Sequence, residues 1–297
     1  MMALICSSCS TEDPVPFLEI KSFPDRKHDF SMWQLNQFFQ ELQMGYIIRT
    51  DDNKIAVIDG GGVRTSEILE NYLLQFGGTV DMWIITHPHS DHIGAFSEII
   101  KRKKIKIKKL IHSSIDEELV KRHEEKNYTN LLEYNILINI SSIVIVDANL
   151  GDSFLLGQGV KIKVLGIKNS DIFNNIVNNS SLVFKIESKF KSILFLGDLG
   201  VEGGEKILKN ETSRADLKSV YVQMAHHGQN GVDRSFYEAV EAQYALWPTP
   251  DWLWNNNYEG KVIDEGNYNI NNVRKWMEDL NIEKNYVAGL EGTIQID

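Results

Sequence analysis

The chain has 297 residues and a formal net charge of −10 at pH 7, and 42% of its residues are hydrophobic. This length allows one large domain or two ordinary ones, and the apolar content is sufficient for a substantial core. The acidic balance excludes a generally basic nucleic-acid-binding protein, although a local basic patch is compatible with it. No stretch approaches the ~20 consecutive apolar residues of a transmembrane helix.

The first 16 residues are predicted to form a leader or a flexible N-terminus, followed by a single domain over residues 17–297. Both cysteines, Cys6 and Cys9, lie in the N-terminal segment, so a disulfide framework for the core is excluded. The residues around Cys9 resemble the end of a bacterial lipoprotein signal, but the apolar segment before Cys9 is short and carries no Lys or Arg. A cytoplasmic protein is therefore predicted, and a lipoprotein of the bacterial envelope, anchored through Cys9, is the alternative.

Apolar runs bounded by turn residues predict strands along the chain, and apolar residues at helical spacing predict helices between them. In the first half, strands are predicted at residues 17–20, 46–48, 55–58, 80–85 and 108–111, and helices at 66–76, 93–101 and over most of 116–132. In the second half, strands are predicted at residues 143–146, 160–165, 182–186, 192–196, 220–222, 244–247 and 293–296, and a helix around 273–280. This order, β-rich with helices and then the same again, predicts two pseudo-symmetric halves that share one sandwich.

Three imidazoles and one carboxylate lie within six residues, between the predicted strand at 80–85 and the helix that follows. They belong to His87, His89, Asp91 and His92. Packing does not explain so dense a group, whereas neutral imidazole nitrogen and carboxylate oxygen are the ligands that zinc prefers. The stretch therefore predicts a metal site on a strand-to-helix loop.

Other chemically suitable side chains follow predicted strands. Asp59 ends a strand and precedes three glycines, Asp198 ends an apolar strand, and the pair His226 and His227 follows the strand at 220–222. Because adjacent side chains on an extended segment point in opposite directions, only one of the two histidines is expected to bind a given metal.

The pattern His-x-His-x-Asp-His after a strand, followed by Gly-Asp at 197–198 and His-His-Gly at 226–228, resembles the signature of the metallo-β-lactamase superfamily. The resemblance implies an α+β fold, a four-layer αββα sandwich with a two-metal site at one edge. It implies one metal on His87, His89 and Asp198, and the other on Asp91, His92, Asp198 and His227. His227 is preferred to His226 because a glycine follows it, although the reverse assignment stays open. His226 would then contact the substrate or donate a proton, and Asp59 would support the histidine loop.

The segment Asn-Asn-Ser-Ser-Leu-Val at 178–183 resembles one branch of that superfamily, which contains the C-terminal nuclease domain of ComEC-type DNA-uptake proteins and free-standing relatives. Many metallo-β-lactamases carry a further histidine in this region; the candidates here, His112 and His123, have ordinary surroundings. Asn178 or Asn179 could instead bind a metal weakly or orient a phosphate, with Ser181 beside them, and a simple turn is the alternative. The chain departs from the branch after the histidine pair, where Gln229 replaces a serine, and this weakens any inference about substrate.

The resemblance implies two divalent ions, zinc or alternatively manganese, and a bridging hydroxide as nucleophile, because metal binding lowers the pKa of water to about 7. The implied catalytic residues are Asp91, Asp198 and His226. Without the further histidine, one metal has an open position for an anionic oxygen, which favours a phosphodiesterase or nuclease acting on small diesters, DNA or RNA. The alternatives are a hydrolase of small esters, lactones or lactams and a binding module with a degenerate site.

Two further features bear on the substrate. Residues 101–109 are strongly basic and could hold a nucleic-acid backbone, but the alternating isoleucines favour a strand with one solvated basic face. Trp247, Trp252 and Trp254 could stack bases or enclose a quaternary amine, and packing of a proline-stiffened loop is the alternative.

Overall fold

The computed structural model describes residues 16–21 and 29–296. The predictions for the N-terminal segment, including lipidation of Cys9, lie outside the described residues, and the boundary at residue 17 stays a prediction. Within the described ranges, no helix is long and apolar enough to cross a membrane.

The strands alternate with helices along the described chain. In chain order the strands are β1 (Phe30–Gln34), β2 (Gly45–Thr50), β3 (Ile55–Asp59), β4 (Thr79–Val80), β5 (Met82–Ile84), β6 (Lys106–Ile107), β7 (Lys109–His112), β8 (Val144–Asp147), β9 (Ser153–Leu155), β10 (Lys161–Gly166), β11 (Val183–Glu187), β12 (Ser192–Phe195), β13 (Tyr221–Gln223), β14 (Tyr244–Trp247), β15 (Lys284–Val287) and β16 (Ile294–Ile296). The helices are α1 (Ser66–Gln75), α2 (Ser90–Arg102), α3 (Glu117–His123), α4 (Tyr128–Asn139), α5 (Ile176–Asn179), α6 (Val201–Lys209), α7 (Glu211–Ala215), α8 (Arg234–Val240), α9 (Asp251–Trp254), α10 (Ile270–Asp279) and α11 (Ala288–Glu291).

Two sheets, each with seven described strands, repeat one pattern of pairing. The first has the order β16-β1-β2-β3-β5-β7-β8 and the second β15-β14-β13-β12-β11-β10-β9. In the first sheet the strands from β16 to β3 pair antiparallel and those from β3 to β8 pair parallel. In the second, the strands from β9 to β12 pair antiparallel and those from β12 to β15 pair parallel. The repeat agrees with the predicted pseudo-symmetric halves.

Strand β3 shows why the sheets are covered on both faces. All its residues are buried; Ala56 and Ile58 face the other sheet, whereas Ile55 and Val57 face helices. Successive side chains of a strand point to opposite faces, so a strand apolar at every position requires a layer on each side.

Each interface of the sandwich has its own core. Between the sheets, the ring of Tyr46 meets Phe195 edge-on at 5.1 Å. Trp83 of the first sheet packs against Phe96 of α2, and Trp247 of the second sheet lies in a cluster with Phe236 of α8. The order helix, sheet, sheet, helix confirms the predicted αββα sandwich.

Several predicted elements differ from those observed. Residues 17–20 form no strand; Leu18 is buried among the helix-facing residues of the first sheet, but its neighbours Phe17 and Ile20 are exposed. Residues 80–85 contribute to two strands, because β4 pairs with β6 whereas β5 belongs to the first seven-stranded sheet. Asp81 lies between them, and its carboxylate accepts hydrogen bonds from the backbone N–H of Ile55 and from Lys108.

The predicted helical region from residue 116 consists of two helices. A 3-10 turn at Glu125–Asn127 separates α3 from α4, and the buried Glu124 lies at this break. Strand β1 was not predicted because its five residues, all buried, show no polar alternation.

Candidate metal centre

The predicted ligands converge where the parallel strands of both sheets end. His87 and His89 follow β5, and Asp91 and His92 lie in the first turn of α2. The prediction that all four lie on a loop is therefore wrong for Asp91 and His92, since α2 begins at Ser90.

From the second sheet, Asp198 follows β12 and the pair His226 and His227 follows β13. Carboxyl ends of parallel strands lie at one edge of a sheet, which places these residues opposite the group from the first sheet.

One group of four side chains could hold a metal ion. Asp91, His92, Asp198 and His227 each offer a ligand atom, and these atoms all lie within 4.8 Å of one another. His227 Nε2 is 3.1 Å from Asp91 Oδ2 and 3.6 Å from Asp198 Oδ2, and His92 Nε2 is 3.3 Å from Asp198 Oδ1.

A second group consists of His87, His89 and Asp198. His87 Nε2 is 3.0 Å from His89 Nδ1 and 3.8 Å from Asp198 Oδ2. Asp198 belongs to both groups, so the two groups contain the same residues as the two ligand sets implied by the resemblance.

Two buried atoms of the centre fit bound cations. His92 Nε2 and Asp198 Oδ1 lie 3.3 Å apart, but neither makes a hydrogen bond within the described part of the chain, and a buried polar atom without a partner costs about 1–3 kcal/mol. A metal ion takes the lone pairs of imidazole nitrogen and carboxylate oxygen, so these residues suit a divalent cation.

The pKa shifts of the buried carboxylates and histidines also fit a centre that binds cations. Burial alone would raise the pKa of Asp198, but the charges of His92, His227 and His226 hold it well below its usual value. Burial alone would lower the pKa of His92, but the nearby carboxylates of Asp198, Asp91 and Asp59 raise it well above its usual value. The buried carboxylates are therefore stabilised by a nearby positive charge. Protonated histidines provide this charge when no metal ion is bound. Burial lowers the pKa of His87, leaving that ring in the neutral form that binds metals.

Asp59 holds the ring of His92. Its Oδ2 accepts a hydrogen bond from His92 Nδ1 at 2.7 Å and one from Thr86 Oγ1 at 2.8 Å, and its Oδ1 accepts one from the backbone N–H of Thr86. A bond of this kind fixes which imidazole nitrogen is free to bind a metal. Asp59 thus contacts both His92 and Thr86, the residue that precedes the histidine loop.

His89 is held by residues that the sequence did not indicate. Its Nε2 lies 2.8 Å from Asn127 Nδ2 and 3.6 Å from Glu124 Oε1. Glu124 also accepts a hydrogen bond from the backbone N–H of Val177, which joins His89 to α5. Glu124 lies among five charged or histidine neighbours at 121–126, so no local signal distinguished it.

The histidine pair lies in a turn rather than on an extended segment, which corrects the prediction. His226 and His227 have φ of 51° and 56°, and Gly228 has φ of 82°. A side chain at Gly228 would collide with the ring of Trp247, so glycine allows the turn to pack against β14.

This turn separates the two rings. His227 is buried, and its Nδ1 donates a hydrogen bond to the carbonyl oxygen of Pro248 at 2.8 Å. The side chain of His226 is 23% exposed, with Nε2 3.8 Å from Asp198 Oδ2, and burial lowers its pKa. His226 therefore lies at the mouth of the centre and His227 inside it.

The segment at 178–181 also lies at the centre, with distinct roles for its residues. Ser181 Oγ accepts a hydrogen bond from the backbone N–H of Asp198 and is 3.5 Å from His87 Nδ1. Asn179 accepts a hydrogen bond from the backbone N–H of Gly203, which fixes α6. Asn178 Nδ2 lies 3.4 Å from His226 Nε2.

The remaining candidates lie outside both groups. His112 is buried against Tyr134, and His123 stacks on Phe173. The rings of Trp247 and Trp254 meet edge-on at 5.1 Å, and Trp247 has no exposed surface, which favours the packing alternative.

The basic stretch at 101–109 is the end of α2 followed by β6 and the start of β7, so the prediction of one basic strand is wrong. Lys104 pairs with Glu70 and Lys108 with Asp81. The stretch begins in the last turn of α2, about 14–15 Å from the ligands in its first turn at 1.5 Å per residue.

A family model of the metallo-beta-lactamase superfamily matches residues 42–225, more than half of the chain. With the fold and the site described above, the chain belongs to this superfamily. A search of curated proteins gives no match.

Solved structures show the same fold at low sequence identity. Igni18, a metallo hydrolase from the archaeon Ignicoccus hospitalis, is 15% identical, with a TM-score of 0.51 over 90% of this chain and 99% of that chain. YhfI from Bacillus subtilis is 11% identical, with a TM-score of 0.55 over 90% and 99% of the two chains. A variant of the β-hydroxylase CmlA is 12% identical, with a TM-score of 0.54 over 91% of this chain and 54% of that one. Because a hydrolase and a hydroxylase share the fold, the reaction must be argued from the site.

Proposed function

We propose that the protein is a metal-dependent phosphodiesterase that binds two divalent ions, zinc or manganese. The observation that supports this proposal is the pair of ligand groups joined by Asp198, in which one group has four protein ligands and the other three. Two such ions supply a hydroxide nucleophile near neutral pH and stabilise the negative charge of the transition state.

The side chains of the centre have different roles in this proposed reaction. Asp91 and Asp198 would offset the positive charge of two bound ions, and Asp198 would be a ligand common to both, since it belongs to both groups. His226, at the mouth of the centre, contacts the substrate. The three-residue group contains two imidazoles and one carboxylate and no further histidine, and this ligand set favours an anionic phosphodiester over a neutral lactam.

Two exposed cations in the segment that carries Glu124 support a nucleic-acid substrate of the kind cleaved by ComEC-type nuclease domains. Arg122 and Lys126 are exposed and form no ion pair with another residue in the described ranges. They flank Glu124, which lies beside His89. Exposed cations can hold a polyanionic backbone by releasing its counterions, whereas the neighbouring Glu125 and the net charge of −10 favour a small diester.

The proposal is tested by hydrolysis of bis(p-nitrophenyl) phosphate with protein loaded with zinc or manganese. We expect turnover that Asp198→Ala and His89→Ala abolish, because each removes a ligand. His123→Ala changes a histidine outside both groups and serves as the matched control.

The outcomes separate the competing functions. Cleavage of a single-stranded DNA oligonucleotide by the same preparation would extend the activity to a nuclease. Protein that holds two ions but cleaves only p-nitrophenyl acetate or a chromogenic β-lactam would replace the phosphodiesterase proposal with the ester or lactam alternative. Protein that binds no metal would leave the binding-module alternative.

A further inference from the structure

We infer that the side-chain oxygen of Asn178 is a metal ligand that completes the group formed by His87, His89 and Asp198. The inference rests on the proposed two-metal function. It identifies the residue that takes the place of the further histidine common in metallo-β-lactamases.

The position of Asn178 follows from contacts on both sides of α5. On one side, Asn178 Nδ2 is 3.4 Å from His226 Nε2, which is itself 3.8 Å from Asp198 Oδ2. On the other side, the neighbouring Val177 donates its backbone N–H to Glu124, the carboxylate beside His89. The segment that carries Asn178 therefore contacts both His226, which lies beside Asp198, and Glu124, which lies beside His89.

The side-chain oxygen of Asn178 has no partner among the described residues. Asn178 is 6% exposed, and its Oδ1 is buried and accepts no hydrogen bond from residues 16–21 or 29–296. Its neighbours in α5 are well satisfied, since the carbonyl oxygen of Asn178 accepts a bond from Ser181 and that of Asn179 accepts one from Asn169. When the other polar groups of a segment are hydrogen-bonded, an unpaired buried oxygen needs an explanation, and a bound ligand is one.

Asn179 does not compete for this role. Its Oδ1 accepts a hydrogen bond from the backbone N–H of Gly203, and its Nδ2 donates to the carbonyl oxygen of Asn174 and to Glu202. Every polar atom of its side chain is engaged in holding α5 to α6. The hydrogen bonds of the two asparagines therefore favour Asn178 over Asn179 as the ligand.

An amide oxygen gives this half of the centre a distinct chemistry. It is neutral and harder than imidazole nitrogen, so it binds zinc less strongly and suits manganese better. The group with Asp91, His92 and His227 has only imidazole and carboxylate ligands. The two ions should therefore bind with unequal affinity, and the weaker site is the one that Asn178 completes.

The test is competition of the full-length protein with a chromophoric chelator for zinc, a measurement independent of turnover. We expect two binding events that differ by about tenfold or more. Asn178→Ala should weaken only the weaker event by about tenfold, a typical effect of losing one contact at a metal site. Asn178→Asp, which supplies an anionic oxygen, should strengthen it.

A matched control lies four residues earlier. Asn174 is exposed, and among the residues that the structure describes its side chain contacts Glu202, at 3.4 Å, so Asn174→Ala should leave both events unchanged. Titration with Co²⁺ adds a spectroscopic readout, since the absorption of the weaker site should change in both Asn178 variants.

Three outcomes would overturn the inference and leave the two-metal function standing. Both Asn178 variants could bind two ions as the wild type does, within twofold. Asn178→Ala could lower turnover with unchanged affinities, which would make Asn178 a substrate contact. Both variants could weaken the site equally, which would make the amide N–H the essential group. Wild-type protein that binds no second ion would instead contradict the proposed function itself.

Discussion

At the residue scale, the buried pair of Asp59 and His92 shows how a side chain outside the ligand groups governs the centre. Asp59 is fully buried, and burial raises its pKa although His92 and Thr86 act against this. It still accepts three hydrogen bonds, two from Thr86 and one from His92. The carboxylate thereby leaves His92 Nε2 free to face Asp198.

Asp59→Asn tests this role. The amide has nearly the same shape but presents an N–H group or a weaker acceptor to His92, so the wrong imidazole nitrogen becomes available. We expect the affinity of the four-residue group for zinc to fall about 10–100-fold, measured by competition with a chelator. Asp81→Asn is the control, because Asp81 precedes β5 at the opposite end of the strand from the histidines; an equal loss in both variants would point to general destabilisation.

At the element scale, helix α2 depends on a close approach at Gly94. A Cβ at this position would lie 2.5 Å from the backbone nitrogen of Val63 and 2.7 Å from the carbonyl carbon of Gly62. Glycine inside a helix costs about 1 kcal/mol relative to alanine, so the close packing explains its presence. This contact fixes the start of α2, which carries Asp91 and His92.

Gly94→Ala should therefore move α2 although the residue touches no ligand atom. Crowding of this kind costs about 1–3 kcal/mol or more. We expect a lower midpoint of thermal unfolding together with weaker zinc binding. Ser97→Ala changes a half-buried residue one turn further along the helix and should alter neither; a Gly94→Ala protein with normal zinc affinity would show that α2 is not held at this point.

At the scale of the whole molecule, the centre joins the two sheets. His87, His89, Asp91 and His92 come from the first sheet and α2, whereas Asp198 and His227 come from the second sheet. Each ligand group contains residues of both halves. Ions bound at the centre would cross-link the two sheets. Without such ions, the buried carboxylates are stabilised by protonated histidines.

Removal of metal should consequently destabilise the fold. A ligand that binds only the native state stabilises it by about 2.7 kcal/mol at one hundred times its dissociation constant. We expect EDTA to lower the midpoint of thermal unfolding and zinc to restore it. His227→Ala, which lacks a ligand from the second sheet, should show a smaller shift, and an unchanged midpoint in wild-type protein would contradict metal binding between the sheets.

Much of the fold could be predicted from local sequence patterns. The hairpin of β2 and β3 and the ends of α1 were predicted closely, because their apolar periodicity and turn residues are local signals. Strand β1 and the short helices of the second half gave weaker signals. In those elements, long-range packing rather than local preference decides the conformation.

The candidate ligands were recognisable because metal chemistry requires particular side chains in a particular order. The number and spacing of these residues, and the glycine that follows His227, can be read directly from the sequence. The sequence by itself therefore determined the superfamily, the sandwich and the residues that form the two groups.

Only the tertiary structure decided which side chains support those residues. Glu124 and Asn127 reach His89, and Asn178 rather than Asn179 carries the unpartnered oxygen, although no local pattern separates them from their neighbours. The physical reason is that hydrogen-bond satisfaction is a property of the folded surroundings, where residues distant in sequence compete for the same donors and acceptors.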